Sequence, residues 1–255
     1  MSGVWVIARM SLLENTRKQV FHVLCLILLT LIISSTLLSV LTEGVKLKIL
    51  KDLCMTCIVF GGAVLAIALG ATAIPNDVES RTIHPVMARP VTRAHYVMGK
   101  YLGTLLTVAL GVLAMSLVFG VLIYSYQHRF DTFLPTAMLF ALLSVAVVAA
   151  VATAISTVAT PAVSAVVSFL IYVLGTIKIG YLGGVLERAG DGISKSVLGL
   201  VYHALPNLEC FNLKDALVHQ NAISSSYLWQ AALYGLCYAA FVLFLGSMHF
   251  RRKEV

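Results

Sequence analysis

The side chains with the most potential for chemistry lie between residues 76 and 96, in a polar and basic stretch. Long apolar runs precede and follow this stretch, so we expect it to lie at the surface of a membrane. From physical arguments alone two interpretations stay open. It is either a solvated loop held near lipid head groups by its arginines, or a rigid bar that contacts a partner. Its candidate contact residues are Glu79, Arg81, Thr82, His84, Arg89 and Arg93.

Several motifs of catalytic or nucleotide-binding sites are absent from the sequence. Gly99-Lys100 is followed by Tyr101 and no glycine-rich turn precedes it, so this pair is not a phosphate-binding loop. There is no HExxH zinc motif, no GxSxG nucleophile and no carboxylate pair within an apolar run. Cys54 and Cys57 have no histidine cluster beside them. We therefore expect no catalytic residue, no cofactor and no metal site, and cysteines that are simply packed.

The composition is that of a membrane protein. Of the 255 residues, 60% are hydrophobic and 11% are charged, whereas about 25% charged residues is usual in soluble domains. Runs of about 20 apolar residues can cross the hydrocarbon core as helices. The sequence thus predicts an all-α, polytopic protein with a single domain over residues 1–255. Its six predicted transmembrane helices are Val20–Thr42, Leu53–Pro75, Val97–Tyr124, Phe133–Thr157, Pro161–Ile179 and Tyr227–Phe250.

The basic residues gather at the ends of the apolar runs. There they orient the chain and meet anionic lipid, so the net charge of +7 predicts a membrane surface and no nucleic acid as partner. Six spans place both termini on one side. The cluster Arg251-Arg252-Lys253 beside the last span favours termini in the cytoplasm.

The interiors of the spans carry almost no ionisable groups. Lys100, Lys178, His22 and His249 lie close enough to span ends to reach water with their polar tips. Carriers driven by protons or sodium usually need buried charges along their path. The sequence therefore disfavours an ion-coupled carrier.

The connectors between the spans differ in character. Residues 1–19 mix apolar and charged positions as an interfacial amphipathic helix does. The link at Val158–Thr160 is too short to grip a partner alone, and Pro161 suits the first turn of the following helix. Residues 180–226 form the longest outer connector. Two short helices are predicted in it, one from the helical spacing of Ile193, Val197, Leu200 and Val201 and one over Phe211–His219.

The polar stretch itself contains helix start and stop signals. Asn76 or Asp77 can cap a short helix that has Glu79 in its first turn. Arg89-Pro90 then ends that helix, and Thr92 can cap the next one. The result is a short bar parallel to the membrane and joined to two spans.

The residues from Glu79 to Arg93, followed by Gly99-Lys100-Tyr-Leu-Gly103, resemble the loop of type-2 ABC exporter permeases. That loop has an acidic residue, Gly-Thr or similar, a leucine-rich stretch, Pro-Val-Ser/Thr-Arg and a later Gly-Lys. This chain departs from it at Arg81, where glycine is frequent. The resemblance extends over nearly the whole chain, including Ile7-Ala-Arg9 … Glu14 … Arg17-Lys18, Leu205-Pro-Asn-Leu … Phe211-Asn212 and the tail Phe250-Arg-Arg-Lys-Glu254.

The resemblance implies a transmembrane permease subunit of the bacterial cytoplasmic (inner) membrane, which forms a homodimer and binds two separate ABC ATPase subunits. Those subunits would hold ATP and magnesium and catalyse hydrolysis, and a periplasmic or accessory protein is a further candidate partner. The outer connector would form short re-entrant helices between spans five and six. Residues Val78–Arg89 would form a cytoplasmic coupling helix, and contact with the ATPase would involve Glu79, Arg81, Thr82, His84, Pro85, Arg89, Pro90 and Arg93.

A different class of function also fits the sequence. A non-transporting membrane anchor or assembly subunit of a larger complex would equally have a basic cytoplasmic loop and uncharged spans. No residue chooses the transported substrate.

Overall fold

The computed structural model describes residues 3–40, 46–80, 92–128, 133–178, 184, 199, 202–219 and 224–252. Within these ranges every regular element is helical, which confirms the all-α prediction. A 3-10 turn at Glu209–Phe211 precedes the eighth helix. The helices are α1 (Gly3–Arg17), α2 (Gln19–Val40), α3 (Lys46–Thr72), α4 (Pro75–Glu79), α5 (Arg93–Gln127), α6 (Leu134–Ile155), α7 (Pro161–Thr176), α8 (Lys214–His219) and α9 (Ser225–Arg252).

Among the described residues, four helical stretches are long and apolar enough to cross a membrane. They are Leu47–Glu79, Arg93–Tyr126, Leu134–Ile155 and Ser225–Phe250. The predicted first span corresponds to α2, and the predicted fifth corresponds to α7, which has only 16 residues. The chain is therefore a multi-pass membrane protein, and its count of six spans stays a prediction.

The helices extend beyond the apolar runs at several ends. α3 begins at Lys46 instead of Leu53, and α5 runs unbroken for 35 residues from Arg93. The apolar run marks only the part that can lie in hydrocarbon, whereas backbone hydrogen bonds continue the helix into the polar flanks. Two start signals were read correctly from the sequence. The Thr92 hydroxyl accepts a hydrogen bond from the His95 amide at 3.3 Å, and Pro161 is the first residue of α7.

The core is organised around α3 and α6. α3 packs against α2, α5, α6, α7 and α8, while α6 also contacts α9. Half of α6 consists of alanine and valine, and the helix is buried all round from Ser144 to Ala154. These small side chains allow close approach of neighbouring helices. A Cβ placed on Gly70 of α3, for example, would lie 2.9 Å from the Cβ of Ala152.

Because α3 has 27 residues, it separates two ends of the bundle by about 40 Å. The α4 end carries α1, α4, the start of α5, the loop 156–160 and the last turns of α9. The α8 end carries the 3-10 turn, α8 and the start of α9. Lysines hold the α8 end together: Lys178 Nζ donates to the Leu205 carbonyl at 2.8 Å, and Lys214 Nζ lies 2.9 Å from Asp52 Oδ1.

The prediction that Lys178 reaches water is wrong, because its side chain is buried over the ring of Tyr202. Of the two short helices predicted in residues 180–226, the second, predicted over Phe211–His219, corresponds to α8 (Lys214–His219). The first, predicted from the helical spacing of Ile193, Val197, Leu200 and Val201, lies outside the described residues.

Candidate functional site

The first turns of α5 present three polar or aromatic side chains on one face. Arg93, Tyr96 and Lys100 follow each other at spacings of three and four residues, so they point to the same side of the helix. α1, α4 and α9 all reach this face through side-chain contacts. The start of α5 is therefore the place where four elements of the α4 end meet.

The centre of this site is a buried ion pair between α4 and α5. Lys100 Nζ lies 2.6 Å from Asp77 Oδ2, and the two side chains are only 8% and 15% exposed. The Tyr96 hydroxyl donates a hydrogen bond to the same carboxylate oxygen. Two predictions fail here. Lys100 does not extend to water, because a carboxylate lies within its reach. α4 begins at Pro75 with Ile74 as its cap residue, so neither Asn76 nor Asp77 caps it.

α1 joins the same cluster through Glu14. Its carboxylate lies 3.1 Å from Lys18 Nζ, one turn later in sequence, and 3.7 Å from Lys100 Nζ. Partial burial raises the pKa of Glu14, but the charges of Lys100 and Lys18 together outweigh burial and hold this pKa below its ordinary value. Lys100 thus has a carboxylate from α4 on one side and a carboxylate from α1 on the other.

Two glycines of α5 allow α1 to lie directly against it. A Cβ on Gly99 would lie 2.7 Å from the Cβ of Ile7, and one on Gly103 would lie 2.4 Å from the Cβ of Ser11. A side chain at either position would clash with α1, so the two glycines allow the close packing of α1 on α5. Outside this contact, α1 leaves Trp5 and Met10 exposed, as expected of a helix at a membrane interface.

Arg93 fastens α9 to the site. Its Nη1 donates to the Phe250 carbonyl at 3.1 Å, and its guanidinium lies 5.9 Å from the centre of the Phe250 ring. A cation is favourable at the C-terminal carbonyls of a helix, and α9 ends at Arg252. The same ring stacks on Tyr96 with centroids 6.0 Å apart. Tyr96 thus contacts both the Asp77 carboxylate and α9.

Two cavities flank the cluster. One of about 390 Å³ lies between α1 and α4 and is lined in part by Met10, Glu14, Asp77 and Lys100. The other, called the α4–α6 groove here, has about 190 Å³ and is bounded by α4, by the loop 156–160 and by Phe250. A third cavity, of about 260 Å³, lies at the α8 end beside Tyr172 and Phe211.

The structure places only two of the eight predicted contact residues. Glu79 is the exposed last residue of α4 and borders the α4–α6 groove, and Arg93 binds Phe250. Both therefore lie at the α4 end. Six lie outside the described residues: Arg81, Thr82, His84, Pro85, Arg89 and Pro90. Most of the predicted coupling helix Val78–Arg89 lies there as well, so its form and its contacts stay predictions.

Comparison with known proteins decides the family. The family model described as ABC-2 family transporter protein matches residues 5–255. The chain belongs to the ABC-2 transporter family. Its membership implies a membrane permease component that pairs with an ABC ATPase subunit. No curated protein matches this ABC-2 family chain.

The cluster of Asp77, Tyr96 and Lys100 was not predicted from the sequence. One available signal was the position of Lys100 inside an apolar run, since an ionisable group there usually has a partner. Glu79 and Asp77 are the acidic residues nearest to it in sequence, whereas Glu14 lies far from it. The choice between them required the positions of α1 and α4 on α5.

Proposed function

We propose that this ABC-2 permease is the transmembrane subunit of an ATP-driven exporter of the bacterial cytoplasmic membrane. In this proposal its α4 end and both termini face the cytoplasm, and two copies of the chain assemble with two ATPase subunits. ATP and magnesium are bound by those subunits, and this chain contributes no catalytic residue.

The observation that carries the proposal is the buried ion pair of Lys100 with Asp77. α4 is the short helix that leads directly into the predicted coupling loop, and Asp77 ties it to α5. Removing one partner of a buried ion pair typically costs about 3–5 kcal/mol. Because the ion pair holds α4 against α5, a movement of the predicted coupling segment that follows α4 would also move α5.

The route from the site to the opposite end follows packed helices. α4 continues α3 with only two intervening residues, Ala73 and Ile74, both buried. α3 contacts α8, and Lys214 of α8 pairs with Asp52 of α3. A shift of α3 would reach the α8 end about 40 Å away, because a packed helix moves as a unit.

The test uses the full complex with its ABC ATPase in lipid nanodiscs. The native cysteines are replaced, and an environment-sensitive dye is attached at the exposed position Asn212→Cys of the α8 end. We expect ATP to change the dye signal in the parent complex. In Lys100→Met the change is lost while the partner still hydrolyses ATP. Lys18→Met, which breaks only the more exposed Lys18–Glu14 pair, should keep the signal.

The same assay separates an exporter from a membrane anchor. An anchor would bind the ATPase, yet the dye at the α8 end would not respond to ATP in the parent complex. That result, obtained with active hydrolysis, would refute coupled export and favour the anchor. A response that persists unchanged in Lys100→Met would refute the assigned role of the ion pair.

A further inference from the structure

The cavity beside Tyr172 and Phe211, called the α8-end cavity here, combines an apolar wall with charged side chains. Met55 and Phe60 of α3 form part of the wall, while Glu209 and Lys214 add opposite charges. Its volume is about 260 Å³, and an apolar cavity of ~150 Å³ is enough to bind benzene. The α8-end cavity therefore has room for a larger group that carries charge.

The α8-end cavity lies at the depth of lipid head groups. The two ends of the bundle are about 40 Å apart, and a bilayer with its head groups is about 40–45 Å thick. The two tryptophans of the chain are both exposed, Trp5 at the α4 end and Trp229 near the start of α9 at the α8 end. Tryptophan is enriched where membrane meets water. Each end of the bundle is therefore at a membrane surface.

The polar groups of the cavity have hydrogen-bonding capacity that the described part of the chain does not use. Lys214 Nζ contacts Asp52 Oδ1 at 2.9 Å and Thr56 Oγ1 at 3.2 Å, and an ammonium group has three N–H donors. Asn212 uses its Oδ1 to accept a bond from the Lys214 amide, which leaves its side-chain N–H groups. Among the described residues, the exposed Glu209 has no ion-pair partner.

The backbone on both sides of Glu209 is held in place by hydrogen bonds to neighbouring helices. The Tyr227 hydroxyl of α9 donates to the Cys210 carbonyl at 2.9 Å. The Leu208 amide donates to the Gly175 carbonyl of α7 at 3.2 Å. The Glu209 carboxylate is thus presented by a segment that is ordered before any ligand binds, which lowers the entropic cost of binding.

We propose that the α8-end cavity binds the head group of one phosphatidylethanolamine molecule. The phosphate accepts hydrogen bonds from Lys214 and Asn212, and the ammonium group donates to Glu209. Such charge-assisted bonds are the stronger kind. The acyl chains lie along Phe60, which is 47% exposed and one turn of α3 further from the α8 end than Thr56.

The charges of the cavity favour this lipid over other phospholipids. Phosphatidylglycerol supplies a phosphate but no cation for Glu209. Choline carries a cation without N–H donors, so a carboxylate cannot accept a hydrogen bond from it. The inference goes beyond the proposed function, because it requires only that the α8 end lies at a membrane surface, in either leaflet.

The first experiment compares two lipids on the purified full-length chain. Native mass spectrometry measures binding of phosphatidylethanolamine and phosphatidylglycerol with the same acyl chains, added in equal amounts to the chain in detergent. We expect the first lipid bound to be phosphatidylethanolamine, with a Kd about tenfold lower, because it makes one more charge-assisted hydrogen bond. Equal affinities would mean unspecific lipid contact only and would overturn the proposal.

The second experiment removes the carboxylate. Glu209→Gln should raise the Kd for phosphatidylethanolamine about tenfold and leave phosphatidylglycerol within about twofold of the parent. The matched control is Asp215→Asn, since Asp215 is an exposed carboxylate of α8 that does not line the cavity; it should bind both lipids as the parent does. An unchanged Kd in Glu209→Gln, or an equal loss in both variants, overturns the site. The unfolding midpoint of Glu209→Gln should change little, because Glu209 is exposed.

Charge reversal at the same position separates recognition from distortion of the cavity. Glu209→Lys should bind phosphatidylglycerol more tightly than phosphatidylethanolamine, because the new ammonium group repels the ammonium of the head group and attracts an anionic lipid. Any other order of the two lipids overturns the role of Glu209. None of these measurements involves the ATPase, so their failure leaves the proposed function intact.

Discussion

Replacement of Lys100 by methionine tests the ion pair on which the candidate site depends. Methionine keeps most of the length of the side chain and removes the ammonium that lies 2.6 Å from Asp77 Oδ2. Because both side chains are largely buried, we expect a loss of about 3–5 kcal/mol in the free energy of unfolding. The contact with Glu14 adds little, since Glu14 is 48% exposed.

The expected loss can be read as a change in the unfolding midpoint. For a chain of this size about 2–4 °C corresponds to 1 kcal/mol, so Lys100→Met should lower the midpoint by about 6 °C or more. A thiol-reactive dye provides the assay in a background where the other four cysteines are replaced by serine, because Cys54 is fully buried in α3 and then reacts only after unfolding.

Two further variants make the measurement specific. Asp77→Asn combined with Lys100→Met removes both charges of this ion pair, and we expect the double variant to recover at least half of the loss. Lys18→Met breaks the exposed pair with Glu14 and should cost less than about 1 kcal/mol. The reasoning is refuted if Lys100→Met and Lys18→Met unfold at the same temperature. It is also refuted if the double variant loses as much stability as the losses of Asp77→Asn and Lys100→Met added together.

Two other predictions concern the docking of α1. Gly103→Ala should weaken the packing of α1 on α5, because the new Cβ would lie 2.8 Å from the Ala8 carbonyl oxygen. Overpacking of this kind costs about 1–3 kcal/mol. We expect faster tryptic cleavage within α1. Gly120→Ala on the same helix is the control, because a Cβ at Gly120 would have its nearest neighbour 3.8 Å away. Equal cleavage of both variants would contradict the close packing of α1 on the glycines of α5. Glu14 has a lowered pKa in the folded chain, so its contribution is complete above its ordinary value of 4.5 and is lost as pH falls through the folded pKa. Trp5 emission in a Trp229→Phe background should therefore change below about pH 4.5, and a Glu14→Gln variant that shows the same change would exclude Glu14 as its cause.

The helices and their start signals were largely readable from the sequence. Apolar length predicts α3, α5, α6 and α9 because crossing hydrocarbon imposes one requirement on every span. The cap at Thr92 and the proline at residue 161 act within one turn, so they need no knowledge of distant residues.

The candidate site was readable only in part. Asp77 has the residue type of a helix cap, and from local sequence that role is as reasonable as any other. Its actual partner, Lys100, lies 23 positions later. No local rule joins the two, because the pairing depends on how α4 folds back against α5.

The buried lysines also show that local sequence did not predict the contacts made by tertiary packing. Lys100 and Lys178 both lie near the ends of apolar runs, which predicts side chains that reach water. Both are instead buried and bonded within the chain, to Asp77 and to the Leu205 carbonyl respectively. An internal oxygen at hydrogen-bond distance replaces the contact with water that the side chain would otherwise seek.

Hydropathy and short sequence motifs specify a multi-pass helical membrane protein of the ABC-2 family, because each acts over one helix or one loop. The cluster of Glu14, Asp77, Tyr96 and Lys100 and the position of the loop 156–160 beside α4 follow instead from the packing of the helices. These contacts join residues that are distant in sequence, and their energies depend on burial and on distances of a few ångströms. Such quantities exist only once the helices have packed.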